Sequence, residues 1–199
     1  MKRNILISAI CTTLLVASSY AAAEGRAKFR ATTSNSSGGV TSVQGAASAG
    51  PNGNAGARGR VTSSDGQGNL SSSSGAAVRG ANGGYGARAG QTQVNADGSA
   101  SHQSGAAANT VYGSGSTSGG FTRGADGSVS GGRSSSASGA AGGRFSSGSS
   151  YASGQGYRRG TTATSASGNT YTGETTAQQG QGVSHSHSCA DAQGNPIDC

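Results

Sequence analysis

The chain has 199 residues, of which 38 are glycine, 11% are charged and 31% are hydrophobic, and its formal net charge is +7. The glycine content is far above the roughly 7% of globular domains, and the large aliphatic and phenyl side chains of residues 24–199 are only Leu70, Ile197, eight valines and three phenylalanines. Burying so few side chains at ~2 kcal/mol each yields tens of kcal/mol, while ordering the chain costs hundreds, so a conventional hydrophobic core is excluded.

Residues 1–23 have the three parts of a secretory signal peptide. Residues 1–4 are cationic, residues 5–16 are largely apolar, and residues 21–23 are alanines that suit cleavage after Ala23. The apolar run is shorter than the ~20 residues of a membrane-spanning helix, and Cys11 lacks the preceding residues of a lipoprotein motif. We therefore expect export to the periplasm, the cell surface or the medium, with no transmembrane segment after cleavage.

Residues 24–170 form a Gly/Ser-rich region with a loose repeat of about 30 residues. The tripeptide Gly-Ala-Ala begins at Gly45, Gly75, Gly105 and Gly139. An Asp-Gly pair occurs at Asp65, Asp97 and Asp126, with Ser167-Gly168-Asn169 as a degenerate fourth copy. Asp-Gly favours a two-residue type I′ hairpin turn, in which both residues have positive φ, so each repeat can form one hairpin.

Each repeat has only one or two apolar side chains, and an isolated hairpin is marginal in water. The composition therefore predicts a mostly intrinsically disordered, low-complexity chain. The rival fold consists of short β-hairpins that stack as a thin β-solenoid or as cross-β on assembly.

Eleven of the twelve cationic residues that follow the signal peptide are arginines, often near a Tyr or Phe. Arginine binds phosphates and carboxylates in two-pronged fashion and stacks on aromatic rings. Scattered arginines also simply keep a Gly/Ser polymer soluble. For binding of anionic polymers outside the cell, rather than intracellular nucleic acid, the candidates are Arg58, Arg60, Arg88, Arg123, Arg158 and Arg159.

Residues 171–199 form a compositionally distinct tail. Cys189 and Cys199 flank a turn-rich segment, and in an oxidising compartment they predict a disulfide-bonded hairpin. His185, His187 and Cys189 alternate, so on a strand they share one face and could ligate Zn or Cu. A disulfide would remove the thiolates, and we assign no metal and no other cofactor.

The Asp-Gly-Ser segments at 97–99 and 126–128, the segment 169–176 and the closing Cys pair resemble a loose group of exported Gly/Ser-rich proteobacterial proteins. The resemblance spans roughly residues 90–199. It implies export and implies no activity.

No catalytic constellation is recognisable, because the carboxylates lie mainly in turn motifs and His102 has no acidic residue at a characteristic spacing. We therefore expect a non-enzymatic exported surface or matrix protein that acts as a flexible or self-associating structural polymer. The first alternative is an Arg/aromatic binder of extracellular DNA, acidic glycan or lipopolysaccharide. A basic, glycine-rich antimicrobial peptide is the third.

Overall fold

The computed structural model describes residues 25–199, so the predicted signal peptide lies outside the described residues. The chain forms one antiparallel sheet in which every strand lies beside its neighbours in sequence. The thirteen strands are β1 (Gly25–Ser34), β2 (Val40–Ala49), β3 (Ala55–Ser64), β4 (Leu70–Arg79), β5 (Tyr85–Val94), β6 (Ala100–Thr110), β7 (Gly113–Arg123), β8 (Val129–Gly139), β9 (Arg144–Ala152), β10 (Gly156–Thr164), β11 (Thr170–Gln178), β12 (Gly182–Ala190) and β13 (Pro196–Ile197).

The prediction of disorder is wrong for residues 25–199. The rival β-solenoid is not formed either, because the strands run up and down in one sheet with no coiled repeat. Apolar burial is not the only favourable contribution to the free energy of folding. Each paired residue also gains a backbone hydrogen bond, worth about 1 kcal/mol net, and short connections keep the entropy cost of pairing low.

The sheet is a single layer, and among residues 25–199 no hydrophobic side chain is buried. Hydroxyl pairs between neighbouring strands supplement the backbone ladder. Thr62 and Ser72 are 3.1 Å apart, and Ser116 and Ser136 are 3.1 Å apart. Such cross-strand pairs contribute roughly 0.2–1 kcal/mol each, so they add to the ladder without needing a core.

Most connections are one type of five-residue turn, in which the first N–H donates to the fifth carbonyl and the fourth residue is glycine with positive φ. In the turn 95–99, for example, Asn95 N lies 2.9 Å from Ser99 O, and Gly98 has a φ of 84°. The turns with this pattern are 35–39, 50–54, 65–69, 80–84, 95–99, 124–128, 139–143, 165–169 and 191–195.

The predicted type I′ turn at Asp-Gly is not what forms. Asn52 is the only non-glycine residue with positive φ in the described part of the chain, so neither Asp97 nor Asp126 adopts that conformation. Instead, the Asp97 carboxylate accepts the backbone N–H of Ser99 at 2.8 Å. An Asp side chain readily satisfies an N–H two residues ahead, and this leaves only the glycine in the left-handed region.

Three of the four Gly-Ala-Ala copies occupy equivalent positions in the sheet. Gly45, Gly75 and Gly105 lie near the centres of β2, β4 and β6. Gly139 ends β8 and begins a turn. The fourth copy, which follows the third after 34 residues instead of 30, is therefore not structurally equivalent to the others.

Strand register assigns every strand residue to one of two faces, because paired residues of an antiparallel sheet point the same way and successive residues alternate. One face takes the even-numbered residues of β1–β6. The two-residue loop between Thr110 and Gly113 then reverses the parity, so the same face takes the odd-numbered residues of β7–β13.

Residues 170–190 continue the sheet as β11 and β12 without a break. No helix within residues 25–199 is long and apolar enough to cross a membrane.

Candidate polyanion-binding face

One face of the sheet carries most of the positive charge, and we call it the basic face. Its strand residues include nine cations, whereas the opposite face carries three, Arg79, Arg144 and Arg158. The nine are Arg26, Lys28, Arg30, Arg58, Arg60, Arg88, Arg123, Arg133 and Arg159.

No strand carboxylate lies on the basic face within the described range. The one carboxylate located in a strand is Glu174, which lies on the opposite face, and the aspartates of residues 25–199 lie in turns or after β13. Arg158 and Glu174 form the only ion pair among these residues, with Nε 2.8 Å from Oε1. The positive charge of the basic face is therefore not neutralised by strand residues of the same face.

Small residues separate the cations across the strands. Along one row, Lys28 pairs with Ala46, which pairs with Arg58, and the row continues through Ala76 to Arg88. Successive cations in this row are two strands apart, about 9.6 Å. Along β3, Arg58 and Arg60 are two residues apart, about 6.8 Å. The result is a two-dimensional array of cations rather than a single cluster.

An open hollow of about 980 Å³ lies over this array, and the cations that line it are Lys28, Arg30, Arg58, Arg60, Arg88 and Arg133. The hollow extends from β1 to β8. A concave surface with one sign of charge concentrates the electrostatic potential and attracts ions of the opposite sign.

Of the six arginines predicted from sequence, the structure places five on the basic face. These are Arg58, Arg60, Arg88, Arg123 and Arg159. Arg158 lies on the opposite face, paired with Glu174. The prediction did not include Arg26, Lys28, Arg30 or Arg133, although the first three share even numbering with Arg58 and Arg60, a signal that counting along the strands could have detected.

The aspartates at the ends of the hairpins have structural partners. A hydrogen bond from the Ser99 side chain lowers the pKa of Asp97, and Ser128 does the same for the pKa of Asp126. Side-chain hydrogen bonds from Asn69 and Asn195 lower the pKa values of Asp65 and Asp191 respectively.

The predicted disulfide joins Cys189 of β12 to Cys199, with Cα atoms 5.3 Å apart. The bond ties the last residues of the chain to the sheet beside the short strand β13. His185 and His187 lie on the same face as Cys189, as the alternation predicted, and their ring centroids are 5.5 Å apart.

The histidines have hydroxyl or ring partners rather than acidic ones. His102 Nδ1 lies 2.9 Å from Thr92 Oγ1, and His185 Nδ1 lies 2.9 Å from Thr175 Oγ1. Over residues 25–199 no three His, Cys, Asp or Glu side chains converge as a metal site would require.

A comparison of the chain with models of protein families, with curated proteins and with solved structures finds no match.

Proposed function

We propose that this chain is a non-enzymatic structural protein of the cell exterior whose basic face holds anionic polymers. The observation that carries the proposal is the segregation of nine cations onto a sheet face without a strand carboxylate. The predicted signal peptide directs the chain out of the cell, where the matching polymers are extracellular DNA, acidic glycan and lipopolysaccharide.

The physical basis is the release of counterions. A linear polyanion condenses cations along its length, and each phosphate neutralised by Arg or Lys frees about one of them. An array of cations some 7–10 Å apart engages several such charges at once. Arginine adds two-pronged contacts to phosphate or carboxylate groups, so the face suits a polymer better than a small anion.

A test compares two triple variants with equal changes in net charge. Arg58→Gln, Arg60→Gln and Arg88→Gln remove charge from the basic face, and Arg79→Gln, Arg144→Gln and Arg158→Gln remove the same charge from the opposite face. Binding of heparin and duplex DNA is measured by fluorescence anisotropy from about 50 to about 200 mM salt.

We expect the first variant to weaken binding strongly and to reduce the slope of log affinity against log salt by about 3 for duplex DNA. The second variant should bind almost as the wild type does. Equal losses in both variants would show that only net charge matters and would refute the role of the basic face.

The open edges of the sheet support a second candidate function, self-association. Within residues 25–199, β1 pairs only with β2, and β13 covers just Cys189 and Ala190 of β12. Arg26, Lys28 and Arg30 discourage pairing of β1 with another β1, as edge cations do. β12 has no Lys or Arg, so the β12 edge lacks the cations that discourage strand addition, and copies associate through this edge.

Lysines on β12 test this assembly. Ser184→Lys with Ser186→Lys should abolish concentration-dependent growth in sedimentation velocity, whereas Ser36→Lys with Ser37→Lys, in an exposed turn, should leave it unchanged. A wild-type chain that stays monomeric at high concentration would refute self-association.

A further inference from the structure

A row of aromatic side chains crosses the basic face between β6 and β10. His102 pairs with Phe121, Phe121 with Gly131, Gly131 with Tyr151, and Tyr151 with Tyr157. Phe121 and Tyr151 are each 46% exposed. The His102 and Phe121 rings stack with centroids 5.8 Å apart. We call Phe121, Tyr151 and Tyr157 the aromatic row.

Gly131 leaves a gap in this row. It lies between Phe121 and Tyr151, whose strands are about 9.6 Å apart. A flat ring packed between two others needs about 7 Å, twice the usual contact distance between carbon atoms. A Cβ at Gly131 would lie 2.6 Å from Gly120 O and 2.9 Å from Phe121 Cβ, so the backbone there excludes any larger residue.

Cations flank the aromatic row on both sides along the strands. On one side of the row, Arg133 follows Gly131 by two residues and Arg159 follows Tyr157 by two residues. On the other side, Arg123 follows Phe121 by two residues, because β7 runs in the opposite direction. Two residues along a strand are about 6.8 Å. The flat rings and the cations are therefore close enough to be contacted by neighbouring groups of one polymer.

Hydroxyl groups hold two of these guanidinium groups. Arg133 donates to Thr117 Oγ1 at 3.1 Å and to Ser104 Oγ at 3.3 Å, and Arg159 Nε donates to Ser147 Oγ at 3.1 Å. Neither has a carboxylate partner among the described residues. Both guanidinium groups thus keep N–H donors and a full positive charge for an external anion.

From this arrangement we infer that the aromatic row with Arg123, Arg133 and Arg159 is a binding site for single-stranded nucleic acid, an inference that rests on the proposed function. Unpaired bases stack on Phe121, Tyr151 and Tyr157, one of them filling the gap at Gly131, and the arginines contact the phosphates. Exposed rings beside cations bind single strands without sequence preference, because every base has a flat face. In a duplex, pairing and stacking cover the flat faces of the bases, so a duplex contacts only the arginines.

The test uses three probes of similar length: a fluorescent oligothymidylate of about 15 nucleotides, an abasic oligomer with the same phosphates, and heparin. We expect the wild type to bind oligothymidylate at least about tenfold more tightly than the abasic oligomer. Phe121→Ala, Tyr151→Ala and Tyr157→Ala together should remove that preference and leave binding of the abasic oligomer unchanged.

A leucine triple variant at the same three positions keeps apolar strand residues and removes the flat rings, and it should lose the preference as well. The matched control is Phe29→Ala, Tyr85→Ala and Tyr112→Ala, which removes exposed rings from the opposite face and from a loop. It should bind all three probes as the wild type does. Circular dichroism establishes that each variant keeps its strands.

Equal wild-type affinity for oligothymidylate and the abasic oligomer would overturn the inference while leaving the proposed function intact. A loss of heparin binding in the alanine and leucine variants, with no preference for bases, would overturn it in favour of an acidic-glycan site. Failure of the wild type to bind any probe would overturn the proposed function itself.

Discussion

Replacing Gly98 by alanine should weaken the hairpin of β5 and β6 through backbone strain alone. Gly98 is the fourth residue of the turn 95–99, and its φ of 84° lies in the left-handed region. A Cβ built there meets nothing within 4 Å, so no steric clash contributes. An L-residue in this conformation costs about 1–2 kcal/mol, and that is the expected loss of free energy of local unfolding.

The matched control is Gly148→Ala in β9. A Cβ at Gly148 also meets nothing within 4 Å, but its φ is not positive. Glycine in a strand interior is less favourable than alanine by roughly 0.5–1 kcal/mol. The two substitutions add the same methyl group into open space and should change stability in opposite directions.

Native-state amide exchange measures both effects strand by strand. Gly98→Ala should accelerate exchange of the amides of β5 and β6 by about 5- to 30-fold. Gly148→Ala should slow exchange around β9 by about 2- to 5-fold. Equal effects of the two substitutions, or an absence of protection in the wild type, would refute the assignment of these turns and strands.

Two further predictions concern the hairpin ends and the tail. Hydrogen bonds lower the pKa values of four turn aspartates in the folded chain. The ionised carboxylates therefore contribute stability that is fully present above the ordinary carboxyl pKa of about 3.9 and is lost as the pH falls from there through the lowered pKa values. Urea unfolding from pH 6 to pH 2 should show that loss, and replacing the four by asparagine should flatten the acid limb; an unchanged limb would contradict it. The residues are Asp65, Asp97, Asp126 and Asp191. Cys189→Ser with Cys199→Ser should accelerate amide exchange only in β12 and β13, because the bond joins residues only ten positions apart at the end of the chain; acceleration in β1–β8 would show that the disulfide supports the whole sheet.

The sequence predicted some chain reversals and the disulfide better than it predicted the fold. Asp97-Gly98 and Asp126-Gly127 mark chain reversals, as expected, and Cys189 bonds to Cys199. The prediction does not include glycine turns that lack aspartate, such as 80–84 and 139–143. Each repeat of about 30 residues therefore contains two strands and two turns, one turn more than the single predicted hairpin.

The prediction of disorder was wrong because a sparse apolar composition argues against a buried core. It does not argue against a sheet held by backbone hydrogen bonds between strands that short turns connect.

The face that each arginine occupies was only partly predictable. Arg58, Arg60 and Arg88 share a face by simple alternation, but the two-residue loop after Thr110 reverses the parity. Arg133 and Arg159 therefore lie on the same face as these arginines although their numbers are odd. This placement cannot be deduced until the length of the loop after Thr110 is known.

The sheet has two chemically different faces, and we propose that only one of them binds polyanions. Ser73 and Ser74 are neighbours in β4 with similar intermediate exposure, and they lie on opposite faces. Ser74 pairs with Arg60 on the basic face, and Ser73 pairs with Val61 on the other. We propose to label Ser74→Cys and Ser73→Cys separately with a maleimide, with and without saturating heparin. Heparin should slow labelling several-fold for Ser74→Cys and leave labelling of Ser73→Cys almost unchanged, whereas equal protection of both positions, or protection of Ser73→Cys alone, would contradict binding to the basic face.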